Sequence, residues 1–313
     1  MARGRHHNDM ARRRFIHFIH SAGRRRAFSA FIAMCGSIAL AGAGILLAQS
    51  PQPAPSKQEN PGKTFVGFDR NDYPGDAALA ELKKSFAFTG FWLSPPPGEK
   101  SNSWKGKRSQ VSDAGFGFLL LFNGKLEKEL PSQTEAQALG KIDGARAAEA
   151  ADDERFSKGA TIFLDQEEGG RLSPVQLAYI LAWVDGVNAG GYRSGIYCSG
   201  IPAREGKGVS IVTALNLKSR ASSRDLAFFV FNDVCPPSPG CRIPQRLPSV
   251  SASGVKFAEV WQYAQSPREK SRTVHCAATY AKDGNCYPPG MQSGGVYVDL
   301  NFATSPDPSH ARK

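Results

Sequence analysis

Histidine is scarce beyond the first 26 residues, where only His275 and His310 remain. The cysteines show neither the C-x-x-C nor the His-paired spacing of zinc sites, so zinc has no recognisable ligand set. No G-x-G-x-x-G opens a helix after the first apolar run, which argues against a dinucleotide cradle. The body of the chain also lacks a stripe of Lys and Arg interleaved with aromatics, although the formal charge is +11. That charge is concentrated at one end. Residues 1–26 hold eight Arg and one Asp, a net of +7, leaving +4 elsewhere from 31 Lys and Arg against 27 acids. A nucleic-acid surface is not indicated, and the sequence points to no cofactor.

What is present begins with a leader. The run "GRRRAFSAFIAMCGSIALAGAGILLAQS" joins a basic stretch to about 22 mostly apolar residues, close to the ~20 that span a bilayer. Arg25 and Arg26 followed by Ala27 and Phe28 resemble a twin-arginine export signal. Residues 1–48 are read as an export signal or an uncleaved membrane anchor, and 49–62 as a Pro-rich linker. The folded unit is then 63–302, with 303–313, "ATSPDPSHARK", expected as a disordered tail. Five cysteines follow the leader, which suits an oxidising compartment. Cys235 and Cys241 bracket a turn-rich loop, and Cys276 and Cys286 bracket another, so two local disulfides are expected; Cys198 is expected as a buried free thiol.

Eight apolar, β-rich runs occur within the folded unit, at 64–69, 88–93, 115–122, 159–165, 192–198, 226–232, 256–262 and 296–300. Helical periodicity lies between several of them, at 77–86, 134–151 and, most clearly, 174–189, where Leu177, Ile180, Leu181, Val184 and Val187 share a face. Ser173 and Pro174 suit the start of that last helix and Gly190-Gly191 its end. Strands alternating with helices imply parallel pairing. Eight of them in one unit of this size predict an α/β fold, a single (β/α)8 TIM barrel.

Functional groups of such barrels gather at the C-terminal ends of the strands. There the sequence offers Asp69, then Asp165 and Glu167 in "FLDQEEGG", then Trp261, Gln262 and Tyr263, and finally Asp299 and Asn301. Asp165 and Glu167 are two residues apart, with Cα atoms roughly 6.6 Å apart on one side of an extended strand. Glu168 is expected to point elsewhere, as a bystander. Clustered carboxylates suit glycoside cleavage, in which one acid stays protonated to donate to the leaving oxygen and others stabilise positive charge or activate water. Repulsion from Asp69, Asp165 and Asp299 is expected to raise the pKa of Glu167. Trp92, Trp261 and Tyr263 are expected to present flat faces to a sugar, with Gln262 and Asn301 beside them in substrate binding. The same four acids are hard oxygen ligands, so a divalent cation is another reading of the cluster.

The order of "GFDR", "FLDQE", "WQY" and "VDLN" is similar to glycoside hydrolase family 25, the lysozyme-like muramidases. More closely, "VGFDRNDYPG", "GFWLSPPPG", "FLDQEEGG" and "GYRSGIYCSG" resemble the glycoside-hydrolase-like domain of unknown function 1906, across nearly all of residues 64–302. The resemblance implies a barrel in which Glu167 is the general acid, Asp165 its partner, and Asp69 and Asp299 the acids of the first and last strands. It implies an exported hydrolase of β-1,4 bonds in peptidoglycan, periplasmic or extracellular. The segment "DRNDYPG" lacks the Ser and the Trp-Gln pair of the muramidase pattern, and a non-catalytic barrel that binds cell-wall glycan or regulates wall enzymes is the other reading.

Overall fold

The computed structural model describes residues 63–206, 208–232, 243–265 and 296–312. The expected leader and linker, and the expected disulfides Cys235–Cys241 and Cys276–Cys286, lie outside the described residues. Within them, short apolar runs become strands: β1 (Phe65–Asp69), β2 (Phe88–Trp92), β3 (Gly117–Asn123), β4 (Thr161–Asp165), β5 (Arg193–Ser199), β6 (Ala203–Arg204), β7 (Ser210–Ile211), β8 (Ala227–Phe231), β9 (Val260–Ala264) and β10 (Asp299–Ala303). Eight of these close a barrel in the order β1-β2-β3-β4-β5-β8-β9-β10, while β6 and β7 pair with each other as a separate ribbon. The helices are α1 (Asp76–Lys83), α2 (Arg108–Asp113), α3 (Gln133–Asp153), α4 (Pro174–Ala189) and α5 (Thr213–Arg220).

The barrel expected from eight alternating strands is present, with one difference in direction. β10 runs antiparallel to both of its neighbours, β1 and β9. It also starts later than the expected 296–300, just as β9 starts later than the expected 256–262. Parallel neighbours require a crossover from one end of the sheet to the other, whereas antiparallel neighbours start and finish at the same end. The beginning of β10 therefore sits at the rim where the other strands end. Asp299, first in its strand, pairs with Asp69, last in β1.

Contacts between strands that are not neighbours identify the barrel interior. Phe163 of β4 meets Phe229 of β8 with ring centroids 6.1 Å apart, and β5 lies between those strands. Side chains alternate along each strand, so Asp165 shares the inner side with Phe163. The inner space is filled by setting a ring against a glycine. A Cβ on Gly67 would lie 2.3 Å from the Phe88 ring, and one on Gly195 2.4 Å from that of Phe163.

Outside the barrel, α4 starts as its sequence indicates. The Ser173 side chain accepts the Gln176 N–H, the Gln176 side chain accepts the Ser173 N–H, and Pro174 occupies the first turn, the reciprocal arrangement of a capping box. α3 docks through its small residues. Ala136, Gly140, Gly144, Ala147 and Ala151 are buried, whereas Ile142 is 47% exposed. Gly140 and Gly144 abut the carbonyls of Tyr179 and Trp183 in α4, a backbone approach that larger side chains would prevent.

The expectation of a disordered tail is not met by residues 303–312. The pairing of β3 with β4 begins only at Leu120 and Ile162, and the tail fills the gap below it. Ser309 donates its N–H to the Phe118 carbonyl and accepts from Thr161 N–H. The Asp307 carboxylate takes the Phe118 N–H at 2.8 Å and the Ser309 hydroxyl takes the Leu120 N–H at 2.8 Å. Gly117 admits the crossing, since a Cβ there would lie 2.1 Å from the Pro306 carbonyl oxygen. Composition alone signals low apolar content and misses this capping of strand-edge groups. Deleting residues 305–313 is expected to lower Tm by several degrees, at roughly 2–4 °C per kcal/mol for a domain of this size. Thermal unfolding of the truncated chain followed by circular dichroism checks this, and an unchanged Tm would show that the tail adds no stability.

Candidate active site

Four acids are delivered to one rim. Asp69 and Asp299 arrive in register from β1 and β10, and Asp165 ends β4 in register with Asn123 of β3 and Tyr197 of β5. Glu167 follows two residues later. Gly90 of β2 leaves room beside the first of these acids, since a Cβ on it would lie 2.5 Å from Asp69 Cβ.

Asp69 is held by amides. Asn301 Nδ2 donates to its Oδ1 at 2.7 Å, and Gln262 Nε2 donates to the same oxygen at 3.2 Å and to Asp299 Oδ2 at 3.3 Å. The Tyr197 hydroxyl donates to Gln262 Oε1 at 2.6 Å. Gln262 and Asn301, expected from the sequence to bind substrate, thus make their direct contacts with the acids. Burial raises the Asp69 carboxyl to about 6, partly offset by the Asn301 and Gln262 hydrogen bonds that favour the ion.

Asp165 is more strongly perturbed. Burial first, and then the charges of Glu167 and Asp69, push its carboxyl well above the ordinary range. Its Oδ1 is buried without a hydrogen-bond partner, which further disfavours the charged form. Glu167 is half-buried and also raised, by burial and then by the neighbouring charge of Glu168. The shift of Glu167 is therefore in the expected direction, with Glu168 joining Asp165, whose repulsion with Glu167 is mutual, as a neighbouring charge.

Glu168 is not the bystander that strand alternation suggests, because the strand ends at Asp165 and the chain turns. Its carboxylate accepts the Glu127 N–H at 2.7 Å and Gln176 Nε2 at 2.7 Å. This joins the segment after β4 to the loop after β3 and to the first turn of α4. Further along, the Thr213 hydroxyl receives Gly170 N–H at 2.8 Å and donates to the Gly170 carbonyl at 3.0 Å. Arg171 Nε reaches Glu205 at 2.9 Å. The segment carrying Glu167 is tied down on both sides.

The aromatic side chains divide. Trp92 ends β2, two residues after Gly90 and on the same side, with its Nε1 donating to the Arg70 carbonyl at 3.2 Å. Trp261 and Tyr263 flank Gln262 and so project from the opposite side of β9. They pack on each other at 5.1 Å between centroids, and on Phe302 at 5.8 and 4.7 Å. Both are buried. The expectation that they offer open faces to a sugar differs from this arrangement, because Gln262 takes the inward position. Cys198 is buried and unbridged, and burial pushes its thiol up to about 12. Among the described residues no group of three or more His, Cys, Asp and Glu side chains is arranged to hold a metal ion. Gln166 escaped the sequence reading, as did Tyr197. Buried Gln166 has neither side-chain polar atom paired, and nothing in the arrangement explains it.

Residues 86–223 match the family described as Rv2525c-like, glycoside hydrolase-like domain. No curated protein matches the sequence. Among solved structures, an uncharacterized protein of B. stearothermophilus aligns at 18% identity with a TM-score of 0.50, covering 76% of this chain and 95% of its own. The Tat-secreted protein Rv2525c of Mycobacterium tuberculosis, crystallised with L-tartrate, aligns at 14% identity and TM-score 0.44, covering 77% and 94%. A family 25 lysozyme of Aspergillus fumigatus aligns at 14% identity and TM-score 0.40, again covering 77% and 94%. At 18% identity the likeness to the B. stearothermophilus protein speaks for the barrel alone. Residues 86–223, which carry β2 to β5 of a closed eight-stranded barrel with acids at its rim, are thus similar to the Rv2525c-like, glycoside hydrolase-like domain, the same likeness that the sequence motifs carry.

Proposed function

We propose that the protein is an exported glycoside hydrolase that cleaves β-1,4 bonds of peptidoglycan, with Glu167 as general acid. The observation that carries this reading is the contrast among the acids. Burial raises Glu167, Asp165 and Asp69 alike, but Asp165 goes well above the ordinary range, whereas two amide donors that favour its ion limit Asp69 to about 6. Paired groups with divergent proton affinities are what acid–base cleavage requires. Glu167, half-exposed at the rim, donates its proton to the leaving glycosidic oxygen as the bond from C1 to that oxygen breaks. Ionised Asp69 stabilises the positive charge that develops at the sugar ring. Water then adds to C1, and its proton passes to a carboxylate of the cluster, so one water is consumed per bond. Asp165, protonated, donates a hydrogen bond to the bound sugar, and Asp299 shares the Gln262 amide with Asp69.

Export rests on the basic and apolar leader. No helix among the described residues is long and apolar enough to cross a membrane. Incubating the full chain with purified sacculi, and separately with chitin oligomers, should release reducing ends from sacculi between pH 5 and 8. No release from either substrate at any pH would overturn the hydrolase reading. Saccharide binding without turnover would instead assign the barrel to glycan recognition.

A further inference from the structure

We infer that Tyr197 is a positioning residue, whose hydroxyl fixes the direction of the Gln262 amide and so directs both hydrogens of Gln262 Nε2 at Asp69 and Asp299. Only its kinetic consequence rests on the proposed hydrolase activity; the positioning itself does not.

A glutamine amide has two ends of nearly equal size and opposite hydrogen-bonding character, so its neighbours decide which way it faces. At one end of Gln262 lie two carboxylates, which accept. At the other lies Tyr197, which can either donate or accept. The shorter contact takes the phenol proton: Gln262 Oε1 lies at 2.6 Å, while Gln265 Nε2 approaches the Tyr197 oxygen at 3.4 Å. Tyr197 and Gln262 are both more than nine-tenths buried, so no bulk water replaces this contact if it is lost.

The surroundings keep the phenol in its donating form. Burial and the charges of Asp165, Glu167, Asp69 and Asp299 all push its proton affinity upward. The chain of donation therefore runs one way, from Gln265 to Tyr197, to Gln262, and on to the two acids. Asp69 is the group this chain should influence most, because it receives Gln262 and Asn301 on one oxygen. The other ionisable groups about Asp69 are Asp299 across β10, Asp165 at the end of β4 and Arg70 next in its own chain. Of these, Asp299 shares the Gln262 amide with Asp69 and would lose the same donor on removal of the Tyr197 hydroxyl.

The test compares the full chain with its Tyr197→Phe, Gln262→Ala and doubly substituted forms, each checked for fold by near-ultraviolet circular dichroism. Carbon-13 NMR of labelled aspartate carboxyls, with Asp69→Asn to assign the signal, follows the Asp69 titration directly. Tyr197→Phe is expected to raise the Asp69 midpoint above about 6. The double form is expected to match Gln262→Ala alone, because Tyr197 acts through Gln262. An unmoved midpoint in Tyr197→Phe, or a double form that adds the two separate effects, overturns the inference. If the Phe form does not fold, an unmoved midpoint in Gln262→Ala overturns it equally. Where the wild-type chain hydrolyses peptidoglycan, Tyr197→Phe should also move the acid limb of the pH–rate profile upward. It should lower kcat by about tenfold with KM within about twofold. A chain without activity defeats the hydrolase proposal but leaves the titration to decide this one.

Discussion

Glu167→Gln is expected to lower the rate of peptidoglycan hydrolysis by ~10²–10⁴-fold, the usual contribution of a positioned general acid. Gln matches the size of the protonated side chain but has no acidic proton to give to the leaving oxygen. Stability should change little. Glu167 is held toward its neutral form by burial and by Glu168, so the neutral amide removes no ion pair. Thermal unfolding and the rate of reducing-end release, measured on the same preparation, separate the two effects. A Gln form that retains full activity would remove Glu167 from the acid role, leaving Asp165 as the remaining group held protonated at the end of the same strand.

The second large effect is on stability. Asp165→Asn is expected to stabilise the chain at pH 7 by an amount on the order of a few kcal/mol, since each tenfold change in proton affinity between the folded and unfolded chain is worth ~1.4 kcal/mol. In the unfolded chain the Asp165 carboxyl ionises near its ordinary 3.8, whereas in the barrel burial and two neighbouring carboxylates keep it protonated far above that. Between those two values the native state binds more protons than the unfolded state, so stability falls as pH rises. The stability linked to this group is fully present below 3.8 and is lost as pH rises through its raised native value. Asp69 adds a similar loss between its ordinary 3.8 and about 6. Denaturant unfolding from pH 4 to 8 should show the wild-type chain gaining stability toward acid and the Asn form gaining less. The difference between the two should therefore shrink as pH falls. A difference independent of pH, or an Asn form less stable at pH 7, would contradict the assigned burial of Asp165. The same substitution should impair hydrolysis, a trade of function against stability common at active sites.

Much of the fold can be read from local pattern. Every barrel strand overlaps an apolar run in the sequence, and the start of α4 is visible in Ser173 and Pro174. The direction of β10 is not visible, because an apolar run looks the same read along either direction of the sheet. Asp299 reaches the expected rim only because that strand is both reversed and begun later than its hydrophobic pattern indicates. The tail is missed for a different reason. Its stabilising contacts are polar groups meeting strand-edge N–H and C=O groups, which leave no hydrophobic trace. At the site, acids clustered at strand ends are conspicuous, but what holds them is not. Tyr197 reads as one more apolar position in "GIYCSG", and its hydroxyl acquires a partner only when β5 faces β9 across β8. Glu168 shows the converse: a residue set aside by alternation becomes an anchor once the chain leaves the strand.

The central claim, that this barrel cuts the glycan strands of peptidoglycan through Glu167, is tested most directly by mass spectrometry of muropeptides from purified sacculi digested with the full chain. The wild-type chain should release fragments ending in newly formed reducing N-acetylmuramic acid, and the Glu167→Gln chain should release none above the undigested control. The same fragments from both chains, or from neither, would contradict the claim.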